Sequence, residues 1–376
     1  MRHSNTGQVY VALAEELVAV DANLKGTALD YVLKGVEKFD AAYRLQEPQN
    51  QDFETGADID MMEDDDDNGG VKLTESPTTE TAEEPQEQWV HVKQPITKLD
   101  LIDTLLAKLQ ALTLLCSLLP TPSLATMLEI TQTMGPSTVT TLNSLLSQVD
   151  TSTQRDLLSS ATLAISNFTT ACADVQFKHG LLTPPGYADI VSTAFPADVT
   201  DVVILTNKAE AYLQLAQTLF EHHHNLHGSQ PNTPLLRTVL THYTTASTLL
   251  TNASTLQPPP PATLHILRGD IELLRSRIYL LLFPTAPPSQ LRKNAAVYYR
   301  GASRVAEAQG ASTEVRREAK VKEGMAEIEI GIETEDYERV EKGKNMVCGE
   351  AGWMEIISEA VRMGTVSEVV VGVLSN

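Results

Sequence analysis

The sequence predicts an all-α protein, an array of antiparallel helical hairpins, and three observations carry that expectation. A helical triplet recurs: a small or aliphatic residue, an aromatic four positions on, then Ala three positions later. It occurs as Gly35/Phe39/Ala42, Ala164/Phe168/Ala171, Val239/Tyr243/Ala246 and Ala295/Tyr299/Ala302. Offsets of four and three put all three side chains on one helical face. The small residues admit a neighbouring helix and the aromatic fills the gap between them. Amphipathic stretches of helix length are separated by plain breakers, among them Pro258-Pro259-Pro260-Pro261, the run from Pro284 to Pro288, and Gly310. Alternating strand patterns are nearly absent.

Taken in order, residues 8–46 predict two helices, 10–20 and about 28–45. Thr97 precedes an amphipathic run over 100–119, stopped by Pro120 and Pro122. Two short helices, 123–135 and 137–149, are expected on either side of Gly135-Pro136. A longer one over 153–178 closes at His179-Gly180 and the turn Thr183-Pro184-Pro185-Gly186. Further helices are expected at 198–222, 234–255, 262–283, 289–308, 313–332, 334–348 and 352–363. Only 366–374, with Val369-Val370-Val371, has strand-like composition, and it suits a frayed helical end equally well. The expected division is a first hairpin (1–46), an acidic loop (47–96), a helical repeat domain (97–364) and a tail (365–376).

The loop is set apart by charge. The chain of 376 residues carries a formal net charge of −21, and between Glu47 and Gln88 there are fifteen acidic residues against one basic residue, Lys72. The densest part is Glu63-Asp64-Asp65-Asp66-Asp67. Such a segment buries too little apolar surface to offset its ordering entropy, so disorder is expected there. Three scattered cysteines (Cys116, Cys172, Cys348) make neither a disulfide framework nor a zinc site. The first residues show no signal-peptide pattern, and the most apolar runs, 112–119 and 278–283, are too short to cross a bilayer. A cytoplasmic or nuclear protein without membrane attachment is the expectation.

The sequence carries no recognisable catalytic or cofactor motif. There is no phosphate-binding glycine loop, nucleophile elbow or kinase-like motif. His223 and His227 have the spacing of a helical metal pair, but no further ligand accompanies them. Basic residues gather late in the chain (Arg292, Lys293, Arg300, Arg304, Arg316, Arg317, Lys320, Lys322). Glu307, Glu314, Glu318 and Glu323 interleave with them, which predicts an ordinary solvated face rather than a nucleic-acid surface. Arg300 and Arg304 stand as weak candidates for holding an acidic peptide. No enzyme activity, cofactor or metal is expected.

A second signature names a resemblance. Tyr10-x2-Leu13-Ala14-x2-Leu17 and Leu205-x3-Ala209-x2-Tyr212 set large, small and large residues on one face of a first helix, ahead of a triplet-bearing second helix. Together these resemble the tetratricopeptide repeat. The resemblance implies a right-handed superhelix of helical hairpins whose first helices line a groove for proteins or peptides. This chain departs from the pattern: the 34-residue period and the turn proline are not kept, Val239 stands where Ala is usual, and Glu272 falls where an aromatic belongs. In relatives that clamp acidic chaperone tails, Lys and Asn follow the large and the small residue. Here those positions are Val11 and Glu15, and Thr206 and Glu210.

The resulting expectation is a non-enzymatic binding protein, a chaperone or adaptor for a basic client such as a ribosomal protein or histone. Glu15 and Glu210 in the groove and Glu63, Asp64, Asp65, Asp66 and Asp67 in the loop are its candidate contacts. The rival expectation is a scaffold subunit of a larger assembly, with the acidic loop incidental.

Overall fold

A computed structural model describes residues 2–20, 22–54, 95–119, 123–227, 232–286 and 288–375. The described residues are almost entirely helical, with no strand among them. The acidic run Glu63 to Asp67 lies outside them. The chain divides into two compact units, one of residues 1–118 with 136–158, the other of residues 119–135 with 159–376.

In the first unit, α1 (Arg2–Val20) and α2 (Lys25–Glu54) form a hairpin through a 3-10 turn, Ala22–Leu24. α3 (Lys98–Leu118) packs on α2. The first triplet does what its spacing implies: Phe39 and Ala42 are buried. The ring of Phe39 packs against Gly7 of α1. A Cβ on Gly7 would stand 2.8 Å from the Phe39 ring, so only glycine allows this approach. Ala14 is buried, while Leu13 is 41% exposed.

α2 also runs past the expected end at 45, through Pro48 to Glu54. Tertiary hydrogen bonds hold the extra turns. Thr104 donates to Gln46 Oε1 (2.9 Å), and Asn50 Nδ2 donates to the Ile96 carbonyl (3.1 Å). Both α2 side chains are buried, so these bonds offset part of what the proline costs the helix. α3 is long and apolar enough to cross a membrane, a property that its run 112–119 alone does not suggest. In this fold 67% of its apolar window is buried inside the protein.

The second unit holds α4 (Leu124–Glu129) with a π-helical turn (Ile130–Met134), most of α6 (Thr151–Lys178), and every later helix. α5 (Gly135–Leu146) begins where a break was expected; Gly135 keeps helical geometry, φ −63° and ψ −56°. A Cβ there would fall 2.0 Å from the Phe168 ring. α7 (Pro184–Ala194) replaces the expected turn at Thr183-Pro184-Pro185-Gly186. The Thr183 hydroxyl accepts from the Gly186 N–H at 3.3 Å, and Pro184 opens the helix where its missing N–H costs nothing.

The remaining helices are α8 (Val202–His227), α9 (Thr233–Leu256), α10 (Ala262–Leu282), α11 (Ser289–Ala308), α12 (Thr313–Thr334), α13 (Tyr337–Cys348), α14 (Trp353–Arg362) and α15 (Glu368–Ser375). From α8 to α13 each packs chiefly on its sequence neighbours. Tyr243 of α9 shares a core with Ala209 of α8, and Tyr299 of α11 packs against Gly269 of α10, where a Cβ would lie 2.4 Å from the ring. In α15 the valine-rich stretch is helical because Val370 and Leu374, with Val366 just before it, fall on one buried face at intervals of four. Packing overrides strand propensity here.

Candidate functional site

The late basic residues are not all on a solvated face: Lys293 and Arg304 are exposed, but Arg292 and Arg300 reach buried carboxylates. Glu323, Glu327 and Glu329 of α12 are at most 7% exposed. Arg300 donates to Glu323 Oε1 (2.7 Å) and to Glu327 Oε1 (2.9 Å), and Arg339 of α13 takes the other Glu327 oxygen. Arg292 pairs with Glu333 at 2.6 Å and lies 3.3 Å from Glu329. Arg300 is therefore spoken for inside the protein, whereas Arg304 is exposed on α11. Helical spacing reveals pairs within one helix, such as Glu318 with Lys322 (2.7 Å), but not these links between helices.

Where the sequence placed a misfit, Glu272, the structure has a buried carboxylate whose Oε1 is paired while its Oε2 has no hydrogen-bond partner among the described residues. It is 2% exposed, accepts from Ser247 (3.0 Å), and pairs with Arg275 (2.6 Å). Arg277, on the same helix, donates both terminal nitrogens to the Gly364 and Val366 carbonyls, and Glu329 accepts from the Ser367 N–H (3.2 Å). These bonds fasten the α14–α15 connection to α10 and α12.

One pocket in the second unit, of about 420 Å³, is built from α8, α10 and α12. Its walls are aliphatic: Val202 and Val203 from α8, Leu264, Ile266 and Leu267 from α10, with Pro261 at the helix entry. Asp201 fixes the start of α8 by accepting from the Val203 and Ile204 N–H groups (2.7 and 3.1 Å). Of the polar lining, Thr206 donates to the Val202 carbonyl (2.8 Å). Asn207 accepts from Asn167 (3.0 Å) and donates to the Val203 carbonyl (2.9 Å). These groups are committed within the chain.

The carboxylates of the pocket are Glu210, Asp270 and Glu318. Asp270 accepts from Tyr299 (2.7 Å) and from Lys322 (2.8 Å), and Lys322 also holds Glu318. Burial pushes the Asp270 carboxyl up, against the pull of Lys322 and Tyr299. Burial alone would lower the Lys322 ammonium, but Asp270 and Glu318 outweigh it and raise it. Glu210 reaches solvent yet is crowded by the surrounding protein, and the partial desolvation raises its carboxyl as well.

Two of the four groove positions read from the sequence thus meet here, Thr206 and Glu210. The same offsets around Gly269 of α10 give Ile266 and Asp270, which line the same pocket. The signal for Asp270 was present in the sequence, one residue after the small position, but was masked by the misfit at Glu272. Glu15 is exposed on α1 in the first unit, and with Gly7 as the small residue the equivalent position is Gln8.

No other chemistry gathers among the described residues. No group of three or more His, Cys, Asp or Glu side chains is placed to hold a metal ion among them. His222 packs edge-on against Phe177 at 5.0 Å. Cys116 and Cys172 are buried and Cys348 is exposed. Set against known protein families, curated proteins and solved structures, the chain matches none of them.

Proposed function

We propose that this chain is a non-enzymatic, tetratricopeptide-like binding protein that holds a basic protein client as a chaperone or adaptor in the cytoplasm or nucleus. The observation that supports it is the pocket on α8, α10 and α12, where equivalent positions of successive hairpins supply aliphatic walls and carboxylates. The acidic stretch from Glu63 to Asp67 would add on-rate and shielding for the same client. Affinity capture from a cell extract tests the reading, at low and at about 0.5 M salt, where screening reaches within a few ångströms. A basic protein captured at low salt, and diminished by deleting residues 56–88, is the expected result. Capture of no basic protein by the intact chain would refute it.

A scaffold role is the second reading, and one feature favours it. An apolar groove of about 430 Å³ opens between α14 and α15, lined by Trp353, Met354, Ile357, Val361, Val371 and Leu374. Met354 is 60% exposed. Partners kept at high salt and unaffected by the deletion would favour this role.

A further inference from the structure

The pocket between α8, α10 and α12 has an imbalance that specifies an occupant. Among the described residues, three carboxylates of the pocket, Glu210, Asp270 and Glu318, stand beside one ammonium, that of Lys322. Lys322 serves Asp270 and Glu318, and Glu210 makes no ion pair among the described residues. The neighbouring hydroxyl and amide groups of Thr206 and Asn207 are engaged with the chain's own polar groups. Beside this negative side stand aliphatic walls, with Val203 54% exposed. An apolar wall next to an unbalanced carboxylate suits a long side chain that carries its charge at the tip.

Lys322 shows what such a cation gains. Its ammonium bridges Asp270 Oδ2 at 2.8 Å and Glu318 Oε1 at 2.7 Å, with its own side chain only 11% exposed. We infer that the pocket takes one lysine or arginine side chain from an extended segment of a protein partner. Its methylene stem lies on Val203, Leu264 and Leu267, and its charged head meets Glu210, with Glu318 beside it. This rests on the client-binding reading above and adds to it the contact that selects the client.

Fluorescence anisotropy with a labelled lysine-rich peptide tests the inference, beside the same peptide carrying glutamine for lysine. The proteins are wild type, Glu210→Lys, Val203→Ser and, away from the pocket, Glu307→Lys on α11. Thermal melts establish that each is folded. The lysine peptide is expected to bind wild type, and Glu210→Lys to weaken it at least about tenfold, because attraction becomes like-charge repulsion. Val203→Ser should weaken it about threefold through lost apolar contact. Glu307→Lys should stay within about twofold of wild type, since a distant exposed charge is screened. Equal binding by wild type and Glu210→Lys would overturn the inference. So would equal affinity for the glutamine peptide, no binding of the lysine peptide by wild type, or a loss in Glu307→Lys as large as in Glu210→Lys. Extract capture separates the two readings. A basic protein taken equally by wild type and Glu210→Lys leaves the client reading standing and removes this pocket from it. Failure of wild type to take any removes both.

Discussion

Replacing Gly269 with alanine would test the close helix approach on which the α10–α11 hairpin depends. The added methyl would lie 2.4 Å from Tyr299 Cε1 and 2.6 Å from Cζ. Ordinary carbon contacts are about 3.5–4.0 Å, so the ring must retreat by roughly 1 Å. It has nowhere to go: Tyr299 is fully buried, in one core with Ala295, Ala302 and Ala326. Its hydroxyl donates to Asp270 Oδ1 at 2.7 Å, a bond that a shifted ring would stretch or lose. Overpacking costs about 1–3 kcal/mol, and a weakened bond to a carboxylate adds up to about 2 kcal/mol. Alanine's better helix propensity offsets about 1 kcal/mol of this. The net expectation is a loss centred on about 2 kcal/mol and reaching at most about 4 kcal/mol, read from urea unfolding followed by circular dichroism. Gly372→Ala is the control, because nothing lies within 4 Å of a Cβ at that exposed position of α15. It should gain about 0.5–1 kcal/mol from the same chemical change. Tyr299→Leu should blunt the Gly269→Ala effect, since the two residues are coupled. If Gly269→Ala were as stable as wild type, the tight α10–α11 contact would be wrong.

Three further outcomes follow from the charges. Glu210 has a raised carboxyl pKa from burial, so the folded state favours its protonated form. Its ionised form therefore costs stability above the folded-state pKa, and the cost disappears as pH falls through that value to the unfolded one. Glu210→Gln should melt above wild type at pH 7, with the gap closing near pH 4; a gap unchanged with pH would contradict this. Lys322→Met leaves Asp270 and Glu318 without their cation, and should cost about 3 kcal/mol. Adding Asp270→Asn should recover most of it, and no recovery would argue against the pair. Arg277→Met frees the Gly364 and Val366 carbonyls, a loss of about 1–3 kcal/mol that is local to the α14–α15 connection. Amide exchange should quicken over residues 364–375 and stay unchanged in α8 and α9; uniform quickening would mean that Arg277 supports the whole unit instead.

The sequence by itself determined the helical class, most helix positions and the aromatic core residues. Helical periodicity and breakers are local, and they are written in consecutive residues. Phe39, Phe168, Tyr243 and Tyr299 are all buried, as their triplets require. Glu210 could be singled out because its offset from Ala209 is also local. The tertiary structure alone decided that Phe39, Phe168 and Tyr299 each meet a glycine: Gly7, Gly135 and Gly269 are named by contact with a residue distant in the chain, not by spacing within their own helix. It likewise decided that α2 continues through Pro48, that a valine run becomes α15, and that Arg300 belongs to Glu323 and Glu327. Each of these depends on groups far apart in the chain, whose contact energy outweighs the local preference. The pocket on α8, α10 and α12 has the same origin, since Glu210 and Glu318 come together only when the helices pack.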